Sequence, residues 1–435
     1  MRIDHLLVEN FKGFRGREFA FHPQFNLVIG KNGAGKTSVL EALAVAAGSW
    51  FLGLRGYDTR HIRPDDVRLE GFRSGAGDIH WEQQFPCVVE ARGLVLERDL
   101  AWRRTLNSPG GRTTYVDARE IKELAAQSDE DVRNGEVVSL PLISCYSTGR
   151  LWNIPREHAR VTGAEQLRSK AGLSRLEAYR NSVDPRLSVS ELVEWIARES
   201  WKTFQKQGVQ SPIFTVARAA LMNNLEGAAD IYFDAEYGEV IVAFEGGERQ
   251  PFNNLSDGQR CMLGLIGDIA RKAAILNPHL GERALAETRG IVMIDELDLH
   301  IHPRWQRTMI EDLRATFPKL QFICTTHSPF LIQSLRSGEE LFMLDGQPTA
   351  ELGDLGLEEI ARGIQGVSNP QVSARYQEMK DVARDYLETL EVAAKAPAEK
   401  LDAYRERLAE SIAPYADNPA FQAFLEMKRA ATLGQ

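Results

Sequence analysis

Apolar positions along this chain change period several times, and each change predicts an element. Ile3 to Val8 and Phe25 to Ile29 read as two strands, with Gly13 and Gly16 in the stretch between them. A glycine-rich turn follows, and the spacing then predicts a helix over about residues 36–47. Between about 50 and 150, short strand patterns (Cys87 to Glu90, Leu94 to Glu97) mix with turn signals such as Ser108-Pro109-Gly110-Gly111. The run Val137 to Cys145 predicts a buried strand. Helical spacing takes over from about 150 to 225, marked by Leu192, Ile196 and Phe204, with Ser188 and Glu191 as a capping box. Strands are predicted again at Ile231 to Phe233 and Val240 to Phe244. Helix Gln259 to Leu276, strand Gly290 to Ile294, helix Arg304 to Phe317 and strand Gln321 to Thr325 then alternate, which predicts an α/β core. After a strand at Leu341 to Leu344 the tail turns helical. One stripe runs Tyr376, Met379, Val382, Tyr386, Leu390 and a second runs Leu401, Tyr404, Leu408, Ile412, with Pro397, Pro414 and Pro419 as punctuation.

Composition narrows the class. The 435 residues are 43% hydrophobic and 26% charged, which is ordinary globular usage with enough chain for a large core. Four cysteines, Cys87, Cys145, Cys261 and Cys324, lie far apart, so neither a disulfide framework nor a zinc ribbon is expected. With no signal-peptide layout and no apolar run long enough to span a bilayer, the expected setting is cytoplasmic, with no membrane partner. A net charge of −9 gives no reason for indiscriminate nucleic-acid binding. Residues 149–186 are locally basic, with eight Lys/Arg against four Asp/Glu, and suit a nucleic-acid face or a solvated helical surface equally well.

Chemistry concentrates in four motifs. Gly30-Lys31-Asn32-Gly33-Ala34-Gly35-Lys36-Thr37, followed by Ser38, fits G-x-x-x-x-G-K-[ST] and falls between a strand and a helix. Its glycines let backbone N–H groups curl around phosphate oxygens at a helix N-terminus. Lys36 offers a point charge to the β- and γ-phosphates, and the Thr37 hydroxyl suits Mg²⁺. Gly290-Ile291-Val292-Met293-Ile294-Asp295-Glu296 is an apolar strand delivering two acids: Asp295 to hold Mg²⁺ through water, Glu296 to polarise the attacking water. Leu255-Ser256-Asp257-Gly258-Gln259 precedes a helix, and its Gln259 lies 36 residues before Asp295. Thr325-Thr326-His327-Ser328 ends another apolar strand.

The order of these motifs resembles that of ABC-type ATPases: P-loop, signature, paired acids, switch histidine. The resemblance implies an ABC-type P-loop ATPase head that binds ATP and Mg²⁺. In such ATPases the signature acts on the nucleotide of a neighbouring subunit. Ser256 and Gly258 are therefore expected to act in trans, His327 in cis, and the chain to form a homo-oligomer. Asn10-Phe11-Lys12-Gly13-Phe14 resembles the opening of the RecF and SMC branch and adds Lys12 to the candidate nucleotide contacts. Two stretches, 295–303 and 325–332, look like those of OLD-type ATPases, and Tyr146-Ser147-Thr148-Gly149-Arg150-Leu151-Trp152 is similar to a segment of the PtuA-like ATPases of the Septu antiphage system, also found with retrons. That family implies a PtuB-like HNH endonuclease as partner, with DNA, or a retron reverse transcriptase and its nucleic acid, as further candidates. His300 and His302 then read as dimer contacts more readily than as metal ligands. The strand before the helical insertion ends in Cys145-Tyr146-Ser147, so no Q-loop glutamine is assigned.

The expected layout is an ATPase N-lobe at 1–150, a helical insertion at 151–225, a C-lobe at 226–345 and a helical C-terminal domain at 346–435. No Asp-x-Asp follows residue 328 and His327 is the last histidine, so neither a Toprim nor an HNH nuclease site is expected in the tail. Two other readings stay open: a RecF-type repair ATPase that binds DNA itself, and an ATP-sensing oligomeric scaffold with negligible turnover.

Overall fold

The computed structural model describes residues 1–73, 78–151, 174–183, 189–345, 355–365, 371–415 and 418–433. The chain divides into two compact units, Met1–Leu355 and Gly356–Gln435.

In the first unit, β1 (Arg2–Phe11) and β2 (Phe14–Ala20) form a hairpin and β3 (Phe25–Ile29) runs into the P-loop. A separate hairpin joins β4 (Leu69–Arg73) to β5 (Ile79–Gln83), and β6 (Cys87–Val95) turns into β7 (Arg98–Leu106). There follow β8 (Leu142–Tyr146), β9 (Ala228–Asp234), β10 (Glu239–Phe244), β11 (Arg249–Pro251), β12 (Gly290–Ile294), β13 (Leu320–Thr325) and β14 (Leu341–Met343). Four strands make an antiparallel sheet, β2-β1-β6-β7. Five make a parallel sheet, β14-β3-β13-β12-β8, and β11-β10-β9 form a third, smaller one.

Strands β3, β12 and β13 are buried along their whole length, which is why they read as continuous apolar runs. The P-loop helix, Lys36–Ala47, touches strands of both larger sheets. Its sequence is apolar nearly all round, as a helix enclosed between two layers requires. Trp102 on β7 ties it down by donating from Nε1 to the Ala46 carbonyl at 2.9 Å.

Several expectations change. The expected strand Leu94 to Glu97 does not exist by itself: β6 runs through to Val95, and Leu96 and Glu97 turn the chain with φ of 46° and 63°. Strands β2 and β7 escape the sequence pattern because charged residues interrupt it: Arg15, Arg17 and Glu18 on β2, and Arg98, Asp99, Arg103 and Arg104 on β7. Only Leu142 onward of the run 137–145 is strand. In helix Val189–Gln205, Leu192 and Ile196 are buried but Phe204 is 75% exposed, so it does not belong to the apolar stripe. Ser188, Trp152 and most of the basic stretch 149–186 lie outside the described residues.

The second unit is helical. Ala374–Ala394, Leu401–Ile412 and Pro419–Leu433 pack around Tyr386, Leu390, Leu408, Ile412 and Leu425. Tyr376, expected in this stripe, is 48% exposed, and Met379 and Val382 are half-buried. Among the described residues, no helix is long and apolar enough to cross a membrane.

Candidate nucleotide-binding site

In the parallel sheet every strand points its C-terminal end to the same edge, where open α/β sheets place ligands. The P-loop strand β3 sits beside β13, and β13 beside the acid-bearing β12. That order gathers residues separated by up to 300 positions onto one edge.

The P-loop starts at Gly30 and closes as a turn, with the Ala34 N–H on the Lys31 carbonyl at 3.1 Å. Gly33 and Gly35 have φ of 85° and 100°, the left-handed region that favours glycine. Gly35 has a second reason to lack a side chain: a Cβ there would lie 2.6 Å from Cζ of Phe14. Asn32 and Lys31 are exposed, and Ser38 is half-buried one turn into the helix. Lys36 is buried, and its ammonium folds back to donate to the carbonyls of Gly30 (2.8 Å) and Lys31 (3.3 Å). Burial lowers the Lys36 pKa, with Asp295, Glu296 and Asp345 pulling the other way.

Thr37 and Asp295 meet directly, Oγ1 donating to Oδ2 at 2.9 Å. The other Asp295 oxygen accepts from Thr325 Oγ1 at 2.5 Å, and the Thr325 hydroxyl in turn accepts from the Glu296 N–H at 2.8 Å. One threonine hydroxyl on the intervening strand therefore holds the Asp295 carboxylate and the Glu296 backbone. A hydroxyl facing a carboxylate is a hard-oxygen pair of the kind Mg²⁺ takes alongside phosphate and water, so the residues fit the metal. Glu296 and His300 have φ of 49° and 62°, unusual for side-chain-bearing residues, and bracket the loop after β12. His327 is exposed at the end of β13, and its neighbour Thr326 bonds Asp298 in that loop.

Across three strands, then, the described residues assemble a phosphate-binding turn, a lysine, a hydroxyl–carboxylate pair and a second acid. Residues 5–207 match a family described as an AAA domain, and residues 166–332 match one described as an AAA ATPase domain. The chain is 25% identical over 387 residues to the "Retron Vc95 probable ATPase" of Vibrio cholerae serotype O1 biovar El Tor, covering 78% of this chain and 72% of the relative. It is 24% identical over 365 residues to the "Septu protein PtuA" of Bacillus thuringiensis, covering 84% and 81%. Between them, the two AAA-type ATPase families match residues 5–332. The SMC head domain from Thermotoga maritima aligns at 14% identity with a TM-score of 0.39, covering 79% of this chain and 94% of that one.

The signature-like motif lies at the start of the helix Asp257–Leu276. Ser256 is exposed and caps the helix Asp257–Leu276: its hydroxyl accepts from the Gln259 N–H at 3.3 Å, and the Ser256 N–H donates to Gln259 Oε1 at 3.0 Å. Gly258 is buried, and a Cβ there would lie 2.6 Å from the carbonyl oxygen of His300. Signature and acid loop thus lean on each other at their backs. Lys12, with φ of 50°, has its ammonium 3.2 Å from both Glu41 on the P-loop helix and Asp66. Burial lowers its pKa, but those two carboxylates outweigh the effect and raise it overall.

Three participants escaped the sequence reading. Thr325 lay inside a quoted motif, but only the strand order reveals that it bridges Asp295 and Glu296. Asp298 pairs with Thr326 from the neighbouring strand. Asp345, just past β14, accepts from the Lys31 N–H at 3.1 Å, and its only signal in sequence was an acid ending a short edge strand.

Proposed function

We propose that this ATPase binds Mg·ATP between two copies of the chain and hydrolyses it to control a partner HNH endonuclease in antiphage defence. The observation carrying the reading is the junction of Lys36, Thr37, Asp295 and Thr325 across β3, β13 and β12. Backbone N–H groups of residues 33–38 would cradle the phosphates at the helix N-terminus, and Lys36 would exchange its two carbonyl partners for phosphate oxygens. Thr37 and Asp295 would hold Mg²⁺, which when bound neutralises charge on the transferred phosphoryl group. Glu296 orients and polarises the attacking water, and its N–H, anchored on Thr325, fixes where that carboxylate starts from. His327 faces the same edge and would contact the γ-phosphate. Ser256 and Gly258 would complete the site of the neighbouring copy, with the Ser256 hydroxyl and the first-turn amides as donors. The defence role rests on likeness to the retron and Septu proteins named above.

The direct test is phosphate release by the purified chain with Mg·ATP, alone and co-expressed with any HNH reading frame encoded beside it. Turnover with co-purification of the nuclease supports the reading. Turnover without any nuclease partner would leave an ATPase and remove the defence assignment.

A further inference from the structure

Beyond its capped start, the signature helix Asp257–Leu276 carries three buried charges that the nucleotide chemistry described above does not use. Asp268, Arg271 and Lys272 are 3%, 6% and 4% exposed. Asp268 Oδ2 lies 2.9 Å from Lys272 Nζ and accepts from the Tyr146 hydroxyl at 2.8 Å, while Oδ1 takes Arg271 Nη2 at 2.7 Å. Lys272 also donates to Ser144 Oγ at 3.0 Å and sits 5.4 Å from the Tyr146 ring centroid. Arg271 reaches out of the cluster to Glu191 on helix Val189–Gln205 at 2.7 Å. Burial by itself would raise the Asp268 pKa, but the two cations outweigh it and hold the carboxyl well below the usual range. The same burial pushes the Tyr146 hydroxyl well above its ordinary value, so it stays a donor.

Such a network is a poor source of net stability, because desolving its charges offsets most of their attraction. What it supplies is fixed geometry, and here the geometry leads to the acids. Tyr146 is the last residue of β8, and its carbonyl accepts from the Asp295 N–H at 2.8 Å. One residue therefore joins the signature helix, by its hydroxyl on Asp268, to the Asp295 peptide, by its backbone carbonyl.

We propose that Tyr146 is a positioning residue for ATP hydrolysis, transmitting the set of the signature helix to Asp295 and Glu296. A displacement of that helix moves Asp268, and with it the Tyr146 ring and the carbonyl that orients the Asp295 peptide. Arg271 and Glu191 carry the same displacement to helix Val189–Gln205. The inference rests on the ATPase reading above.

Tyr146→Phe removes one hydroxyl and keeps the ring against Lys272. In the full chain, kcat for ATP should fall about tenfold, as for other outer partners of a metal-binding carboxylate. KM and Kd for ATP should stay within about twofold, and the melting curve should report a folded protein. Glu191→Gln, at the half-buried edge of the network, should also lower kcat, and the double variant should lose less than the product of the two separate losses. Wild-type kcat in Tyr146→Phe, with any loss confined to the melting temperature, overturns the proposal while leaving the ATPase reading intact. No turnover by the wild-type chain overturns both.

Discussion

The P-loop edge and the signature edge are built on different plans. At the P-loop edge polar groups are committed to one another within the chain: Lys36 to two carbonyls, Thr37 to Asp295, Asp295 to Thr325, and Lys31 to Asp345. At the signature edge the polar groups serve their own helix, Ser256 with Gln259, while Gly258 approaches the His300 carbonyl and Ser256 stays exposed. A site whose groups already point at each other is preorganised for a ligand held by one chain. A capped helix start presented outward is suited to a ligand held by another.

The largest expected effect lies on the first edge. Glu296→Gln keeps the shape of the side chain but removes its charge, so kcat should fall by roughly 10²- to 10⁴-fold while ATP stays bound, measurable as a stoichiometric nucleotide–protein complex. Unchanged turnover would take Glu296 out of the base role. Lys36→Ala should act on binding instead. Losing a buried charged partner costs about 3 kcal/mol, or roughly 100-fold in ATP affinity by titration calorimetry.

The second edge should respond differently. Ser256→Arg should leave ATP affinity within about twofold yet stop hydrolysis. Mixing it one-to-one with Lys36→Ala should restore about a quarter of wild-type turnover if the chains pair at random as symmetric dimers. Failure to rescue at every ratio would mean that each chain completes its own site, and the contrast between the edges would collapse. Gly258→Ala is the mildest break. Its methyl must displace the His300 carbonyl, so we expect a loss of about 1–3 kcal/mol in thermal or denaturant unfolding with the P-loop's affinity for ATP unchanged.

Legibility in the sequence tracked how local each feature is. The P-loop was readable because eight consecutive residues and the flanking strand and helix express it. Asp295 and Glu296 were readable because β12 is buried on both faces and stops at the acids. The strand order was not, because a parallel sheet is assembled from segments with long crossovers, and nothing near Thr325 or Asp345 announces which strand lies alongside. Strand β7 was missed for another reason. Arg104 points inward between Trp102 and Leu106 and is fully buried, which breaks the apolar alternation that marks a strand. In the C-terminal unit the helices were legible but the buried face was only half so: Tyr386 and Leu390 enter the core, while Tyr376 stays exposed with the Lys380 ammonium over its ring.

Glu296 holds its place at a cost to the fold. A glutamate at φ 49° sits in a conformation that costs a side-chain-bearing residue about 1–2 kcal/mol, and glycine would occupy it without penalty. Under the proposed mechanism, catalysis and thermodynamic optimisation therefore pull this position in opposite directions. Glu296→Gly should melt at or above the wild-type temperature, since relief of the left-handed backbone offsets the extra freedom glycine gains in the unfolded chain, and it should have no turnover. A screen that selected this protein for heat resistance alone would be drawn toward that substitution and would return a sturdier, inert molecule.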